Sequence, residues 1–111
     1  MSDLSKKRLE KQIFRYIADL TLNDLQNPNL GIFTLTEADL ADDLSLITVK
    51  VSAYGEPSEV EGTISALRRS ASYLRGRIGK VLKVHNIPKI HFILDDSQEK
   101  QEKIDSLLDG R

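Results

Sequence analysis

Residues 44–54 alternate between apolar and polar side chains, and this pattern constrains the fold more than any other. The apolar positions are Ile47, Val49, Val51 and Ala53, and the polar ones between them are Thr48, Lys50 and Ser52. A period of two predicts a β-strand with one buried and one solvated face. Because a single strand cannot bury its own apolar face, the rest of the chain must supply a sheet and a covering layer.

Segments of helical period lie on both sides of this strand. Residues 4–25 predict a helix that ends at Asn27-Pro28-Asn29, since the residue before a proline leaves the α region. A second helical stripe covers residues 59–83, with Ser58 as its candidate cap and Ser70-Ala71-Ser72 as a candidate kink. Strands are predicted at 32–38 and 90–94, and a capping box at 96–99 predicts a last helix.

This element order predicts an α+β domain with a three-stranded sheet and helices packed on one face, in the order α-β-β-α-(kink)-α-β-α. The first two strands are expected to be antiparallel, and the third, after a helical crossover, is expected to run parallel to one of them. The type II KH fold, an RNA-binding architecture, has the same order, although fold alone implies no function. We expect one monomeric domain over residues 1–111, with its core at about 5–108.

The residue types exclude several kinds of chemistry. The chain has no cysteine, which excludes thiolate catalysis, disulfides and cysteine-bearing metal sites. Its two histidines, His85 and His91, lie on either side of Pro88 and lack the spacing of a helical metal site. We therefore expect no enzyme activity, no metal and no cofactor. Without a long apolar run or a secretory leader, the chain is expected to be cytoplasmic, with no membrane association.

The net charge of −1 conceals a strong division along the chain. Residues 62–94 contain seven basic residues and no acidic one, whereas residues 21–61 contain eight acidic residues and one lysine. Such asymmetry is typical of a protein with a polyanionic partner. A solvated helix face whose charges pair with acidic parts of the same fold would give the same sequence pattern.

Gly76-Arg77-Ile78-Gly79 matches the G-x-x-G of nucleic-acid-binding KH domains, in which a loop clamps the strand backbone. Leu74, Ile78 and Val81 nevertheless continue the helical period through this tetrapeptide. We therefore predict that both glycines lie inside a helix, and that the basic block rather than a glycine clamp binds the partner.

Several short segments of the chain occur in an order and at a spacing that resemble one known family. Asn27-Pro28-Asn29-Leu30 is followed by Phe33-Thr34-Leu35-Thr36, and Asp43-Leu44-Ser45 by Val49-Lys50-Val51-Ser52 and Gly55. Tyr73-Leu74-Arg75 precedes Gly79-Lys80, and the rest of the pattern is Pro88, Phe92, Asp95, Ser97 and Leu107-Leu108. Over nearly its whole length the chain resembles the ribosome-binding factor A family.

The resemblance implies a type II KH-like domain in which an Ala-x-Gly helix kink replaces the G-x-x-G loop. The matching positions here are Ser70-Ala71-Ser72, in which neither the family's alanine nor its glycine is in place. The resemblance further implies binding to immature small ribosomal subunits, late maturation at the 5′ end of their rRNA, and an association with growth in the cold. The implied partners are the small subunit and its rRNA, with ribosomal proteins and assembly GTPases as further candidates.

We expect the cations of the kinked helix pair to contact RNA phosphates, with a weaker second patch on the first helix. The first set is Arg68, Arg69, Arg75, Arg77, Lys80 and Lys83, and the second is Lys6, Lys7 and Lys11. A second function remains open at this point: a protein-interaction adaptor whose basic helix docks on an acidic protein surface.

Overall fold

The computed structural model describes residues 3–83 and 86–95, which form two helices and three strands. They are helix α1 (Asp3–Asn23), strand β1 (Ile32–Leu40), strand β2 (Leu46–Tyr54), helix α2 (Pro57–Leu82) and strand β3 (Lys89–Leu94). The α+β class and the element order are confirmed as far as the third strand. The predicted last helix and its capping box at 96–99 lie outside the described residues.

The three strands form one sheet in the order β1-β2-β3. β1 and β2 are antiparallel because a short loop joins them, whereas β3 follows the crossover helix α2 and runs parallel to β2. Both orientations confirm the prediction. A bulge between Leu35 and Glu37 shifts the β1 register by one residue. The side chains that face the core are therefore odd-numbered up to Leu35 and even-numbered after it, at Ala38 and Leu40.

The core lies between one face of the sheet and both helices. The alternation in β2 is confirmed, since Ile47, Val49 and Val51 are fully buried. Strand β3 adds Ile90 and Phe92, α1 adds Ile13 and Ile17, and α2 adds Ile64, Leu67, Leu74 and Ile78. Within residues 3–83 and 86–95, neither helix combines the length and the apolar character needed to cross a bilayer.

Hydrogen bonds to backbone groups connect the helices to the ends of β1. The Leu40 N–H donates to Glu10 Oε2 of α1 at 2.8 Å, and the Gly31 N–H donates to Thr63 Oγ1 of α2 at 3.0 Å. Thr63 is fully buried, and its hydroxyl in turn donates to the Glu59 carbonyl at 2.9 Å. These bonds fix both helices over the same face of the sheet.

Helix α2 begins two residues before its predicted start. Its N-cap is Glu56 rather than Ser58, and Pro57 occupies the first turn, where its fixed φ suits a helix start. The Glu56 N–H donates to Glu59 Oε1 at 3.1 Å, one half of a capping box. The expectation that Ser58 caps this helix is therefore wrong.

One continuous helix takes the place of the predicted kinked pair. Helix α2 passes through Ser70-Ala71-Ser72 without interruption, and the Ser70 hydroxyl donates to the Ala66 carbonyl at 3.0 Å. Such a bond often bends a helix without breaking it, and a bend at this point stays a prediction. Gly76 and Gly79 both lie inside α2, which confirms that the G-x-x-G match is helical.

Gly76→Ala is expected to stabilise the protein. A Cβ at Gly76 would meet no other atom within 4 Å, and alanine is favoured over glycine in a helix interior. The free energy of unfolding, measured by urea denaturation, should rise by about 0.5–1 kcal/mol.

Gly55→Ala is the contrasting control, because Gly55 has φ 123° and its Cβ would lie 3.2 Å from Glu59 Cδ. This variant should be less stable than the unmodified protein. Destabilisation by Gly76→Ala would contradict the helical placement of the G-x-x-G tetrapeptide.

Candidate nucleic-acid interface

Helix α2 presents a row of basic and small side chains on the side opposite the sheet. Leu67, Leu74 and Ile78 are buried on one side of α2. At 3.6 residues per turn, the row lies on the opposite side of the helix and therefore faces solvent. Its members are all exposed: Arg69, Ser72, Gly76, Lys80 and the C-cap Lys83. We call these five residues the basic ridge.

The three cations of the basic ridge are available to an external anion. Neither Arg69, Lys80 nor Lys83 forms a hydrogen bond through its side chain or an ion pair with the described part of the chain. Lys80 also lies in the last turn of α2, where a cation stabilises the helix dipole by a fraction of a kcal/mol. That structural role does not use the ammonium's hydrogen-bonding capacity.

Arg68 and Arg75 lie beside the ridge, on the side of α2 that faces β3. Arg68 Nε donates to the Phe92 carbonyl at 3.0 Å, and Arg75 Nε donates to the Ile87 carbonyl at 2.8 Å. In the parallel ladder, the backbone groups of every second residue of β3 bond to β2, and those of the residues between them point away from β2. The Phe92 carbonyl is one of the groups that point away. Arg68 therefore holds the outer edge of β3 and Arg75 holds the segment just before it, so part of the role of both arginines is structural.

Arg77 lies on the other side of the ridge and belongs to a small cluster with Asp24 and Tyr73. Arg77 Nε is 3.4 Å from Asp24 Oδ2, and the Tyr73 hydroxyl donates to the same oxygen at 3.0 Å. The hydrogen bond to the Asp24 carboxylate raises the pKa of Tyr73 above its usual value. Asp24 follows α1, and the cluster therefore joins the end of α1 to the middle of α2.

The predicted second patch on α1 is only partly assembled. Lys6 is turned toward the β1–β2 loop, where its ammonium pairs with Asp42 at 2.5 Å, and this hydrogen bond raises the pKa of Lys6. Lys7 and Lys11 are exposed. Of the three lysines predicted there, two point to solvent and one is engaged within the fold.

Two exposed arginines of α1 were not predicted from the sequence as members of the second patch. Arg8 and Arg15 are exposed and share a helix face with Lys11, at spacings of three and four residues. They extend the α1 patch that Lys7 and Lys11 begin. The signal was present in the sequence as the i, i+3, i+7 spacing of Arg8, Lys11 and Arg15.

Asp43 and His91 have no part in the basic ridge. Asp43 Oδ1 accepts hydrogen bonds from the N–H and hydroxyl of Ser45, which lowers the pKa of Asp43 and identifies it as a turn residue. His91 is exposed on the face of the sheet opposite the helices, and His85 lies outside the described residues. Across residues 3–83 and 86–95, no group of three acidic or histidine side chains is arranged to hold a metal ion.

Comparison with known proteins gives consistent results for sequence and structure. A curated relative, ribosome-binding factor A of Pelobacter propionicus, is 35% identical over 108 residues, which cover 97% of this chain and 88% of that protein. The crystal structure of ribosome-binding factor A from Thermus thermophilus superposes with a TM-score of 0.69 at 28% identity, over 80% of this chain and 93% of that one.

A third match is a Thermus thermophilus ribosome binding factor A homology model that was fitted into a cryo-EM map of a 30S–RbfA complex. It superposes with a TM-score of 0.64 at 27% identity, over 80% of this chain and 93% of that one. Residues 5–108 match the family described as ribosome-binding factor A. The chain therefore belongs to the ribosome-binding factor A family.

Proposed function

We propose that this chain is a non-catalytic assembly factor that binds the immature small ribosomal subunit through the basic ridge of α2. The observation that carries the proposal is the set of three exposed cations, Arg69, Lys80 and Lys83, on one helix face. The Thermus factor that was fitted into a 30S complex shares this fold, which supports the same class of partner.

Charge on and around the ridge favours an RNA partner. No acidic residue occurs between residues 62 and 94, so the acidic side chains of α2, Glu59 and Glu61, both precede the ridge, which begins at Arg69. The acidic group joined to α2, Asp24, already accepts a bond from Tyr73 and pairs with Arg77. RNA phosphates would displace only water and counterions from Arg69, Lys80 and Lys83, and counterion release supplies much of the affinity in such complexes.

The shape of the ridge suits a phosphate backbone. Ser72 and Gly76 lie between the cations, and neither carries a side chain large enough to hold a strand away from the helix. A strand that approaches here would have Arg69 on one side and Lys80 on the other. Arg68 and Arg75 use only Nε in their bonds to backbone carbonyls and remain exposed, so their guanidinium groups form a second row.

We further propose that binding assists late maturation and 5′-end processing of the small-subunit rRNA. A factor that binds one rRNA conformer more tightly than its competitors increases the population of that conformer. A separate nuclease then cleaves the precursor in the favoured conformer. In this scheme the chain contributes binding free energy and performs no chemical step.

Replacing both Arg69 and Lys80 with glutamine is expected to weaken binding to purified small subunits. Glutamine keeps the helix propensity of the two positions but removes two phosphate contacts. The magnitude of the log–log salt slope should fall by about 1.4, which is two contacts at about 0.7 each for single-stranded RNA. Sedimentation binding over a series of salt concentrations measures both quantities.

The matched control replaces Lys50 and Lys89, both exposed on the outer face of the sheet, with glutamine. This pair loses the same net charge and should leave the salt slope unchanged. An equal effect from both pairs would contradict a localised interface. Binding of purified ribosomal proteins but not of naked rRNA would instead support the adaptor function.

In a strain that lacks the gene, we expect small-subunit rRNA with unprocessed 5′ ends to accumulate, most strongly in the cold. The unmodified gene should restore processing, whereas the Arg69→Gln, Lys80→Gln gene should not, because its product no longer stabilises the immature particle. Primer extension on total rRNA measures the unprocessed fraction.

Purified protein incubated with precursor rRNA and magnesium should leave the RNA intact. Specific cleavage in that mixture would overturn the non-catalytic assignment. Full restoration of processing by the Arg69→Gln, Lys80→Gln gene would show that the basic ridge is not needed for 5′-end processing of the rRNA.

A further inference from the structure

Tyr73 is the only aromatic side chain of α2, and its ring is half exposed. The exposed fraction of the residue is 49%, although its hydroxyl is already bonded to Asp24. Because Asp24 belongs to the segment after α1, the ring is held at its far end by a second element. An aromatic ring in solvent, fixed at both ends, presents a defined flat surface.

Cations surround this ring along the helix. Arg69 lies one turn before Tyr73 and Arg77 one turn after it, at the i±4 spacing that makes helix side chains neighbours. Lys80 lies a further turn along the same side. Arg77 offsets the charge of Asp24 at 3.4 Å, so the carboxylate beside the ring is already paired.

We infer that Tyr73 is a stacking platform for an unpaired RNA base, with Arg69 and Lys80 on the phosphates on either side of that nucleotide. The inference rests on the proposed function and narrows its ligand to single-stranded rRNA. Bases in a duplex are stacked on one another, whereas unpaired bases are free to stack on an aromatic face beside basic side chains.

The bond between Tyr73 and Asp24 contributes to this role by preorganisation. Fixing the hydroxyl reduces the rotamer freedom that the ring would lose on stacking, which lowers the entropy cost of binding. A purely structural role would depend on a different part of the side chain. The hydrogen bond from Tyr73 to Asp24, a latch between the end of α1 and α2, needs the hydroxyl and not the exposed ring face. The two roles therefore require different parts of the same side chain.

Tyr73→Leu and Tyr73→Phe separate the ring from the hydroxyl. Loss of the ring should weaken binding of a six-nucleotide oligoadenylate about 5- to 150-fold, the range for loss of one stacked base. Tyr73→Phe keeps the ring and should bind within about twofold of the unmodified protein. Tyr54→Leu is the matched control, since Tyr54 is 39% exposed on the opposite face of the sheet.

Tyr73→Trp supplies a direct readout, because the chain contains no tryptophan. Stacking should quench the fluorescence of this single indole on titration with oligoadenylate, and a hairpin duplex of the same length should quench it much less. Small subunits should quench it as well.

Equal binding by the unmodified protein and Tyr73→Leu, or the absence of quenching by both oligoadenylate and small subunits, would overturn the inference. Equal losses from Tyr73→Leu and Tyr73→Phe would assign Tyr73 to the latch alone. If small subunits still bind with the predicted salt slope in either case, the proposed function stands and only the stacking role fails. If small subunits do not bind at all, the proposed function itself fails.

Discussion

Burial of one face of the sheet under two helices is the constraint on which the rest of the structure depends. Val49, Val51 and Phe92 are fully buried against Leu67 and Leu74 of α2, which fixes the rotation of that helix about its axis. A rotation that brought the ridge cations inward would leave unpaired charges in the core, at a cost of several kcal/mol each. The basic ridge therefore faces solvent because the apolar stripe faces the sheet.

The orientation of α2 about its axis divides its basic residues into three kinds, one of which is Arg77, paired with Asp24. Arg68 and Arg75, on the side toward β3, donate to backbone carbonyls of that strand and of the segment before it, respectively. Arg69 and Lys80 form no ion pair with any described acidic group and carry the charge that the proposed function uses. One helix thus supports the sheet along one side and presents cations along the other.

Periodicity predicted what depends on near neighbours in the sequence. The alternation in β2 and the helical spacing through Gly76 and Gly79 were both confirmed. The partners of single side chains were not predictable, because Lys6 meets Asp42 across 36 positions and Tyr73 meets Asp24 across 49. Adjacent arginines such as Arg68 and Arg69 look alike in a charge count, yet a helix separates them by about 100°. Which cations bind RNA stays a prediction.

The most direct test of the account is to map which RNA lies beside the basic ridge. Because the chain has no cysteine, Ser72→Cys gives a unique thiol in the ridge, and Thr48→Cys gives one on the opposite face of the sheet. An iron chelate on each thiol generates hydroxyl radicals that cleave nearby rRNA in the bound small subunit. The account predicts strong, localised rRNA cleavage from position 72 and weak cleavage from position 48. Stronger cleavage from position 48 would contradict it.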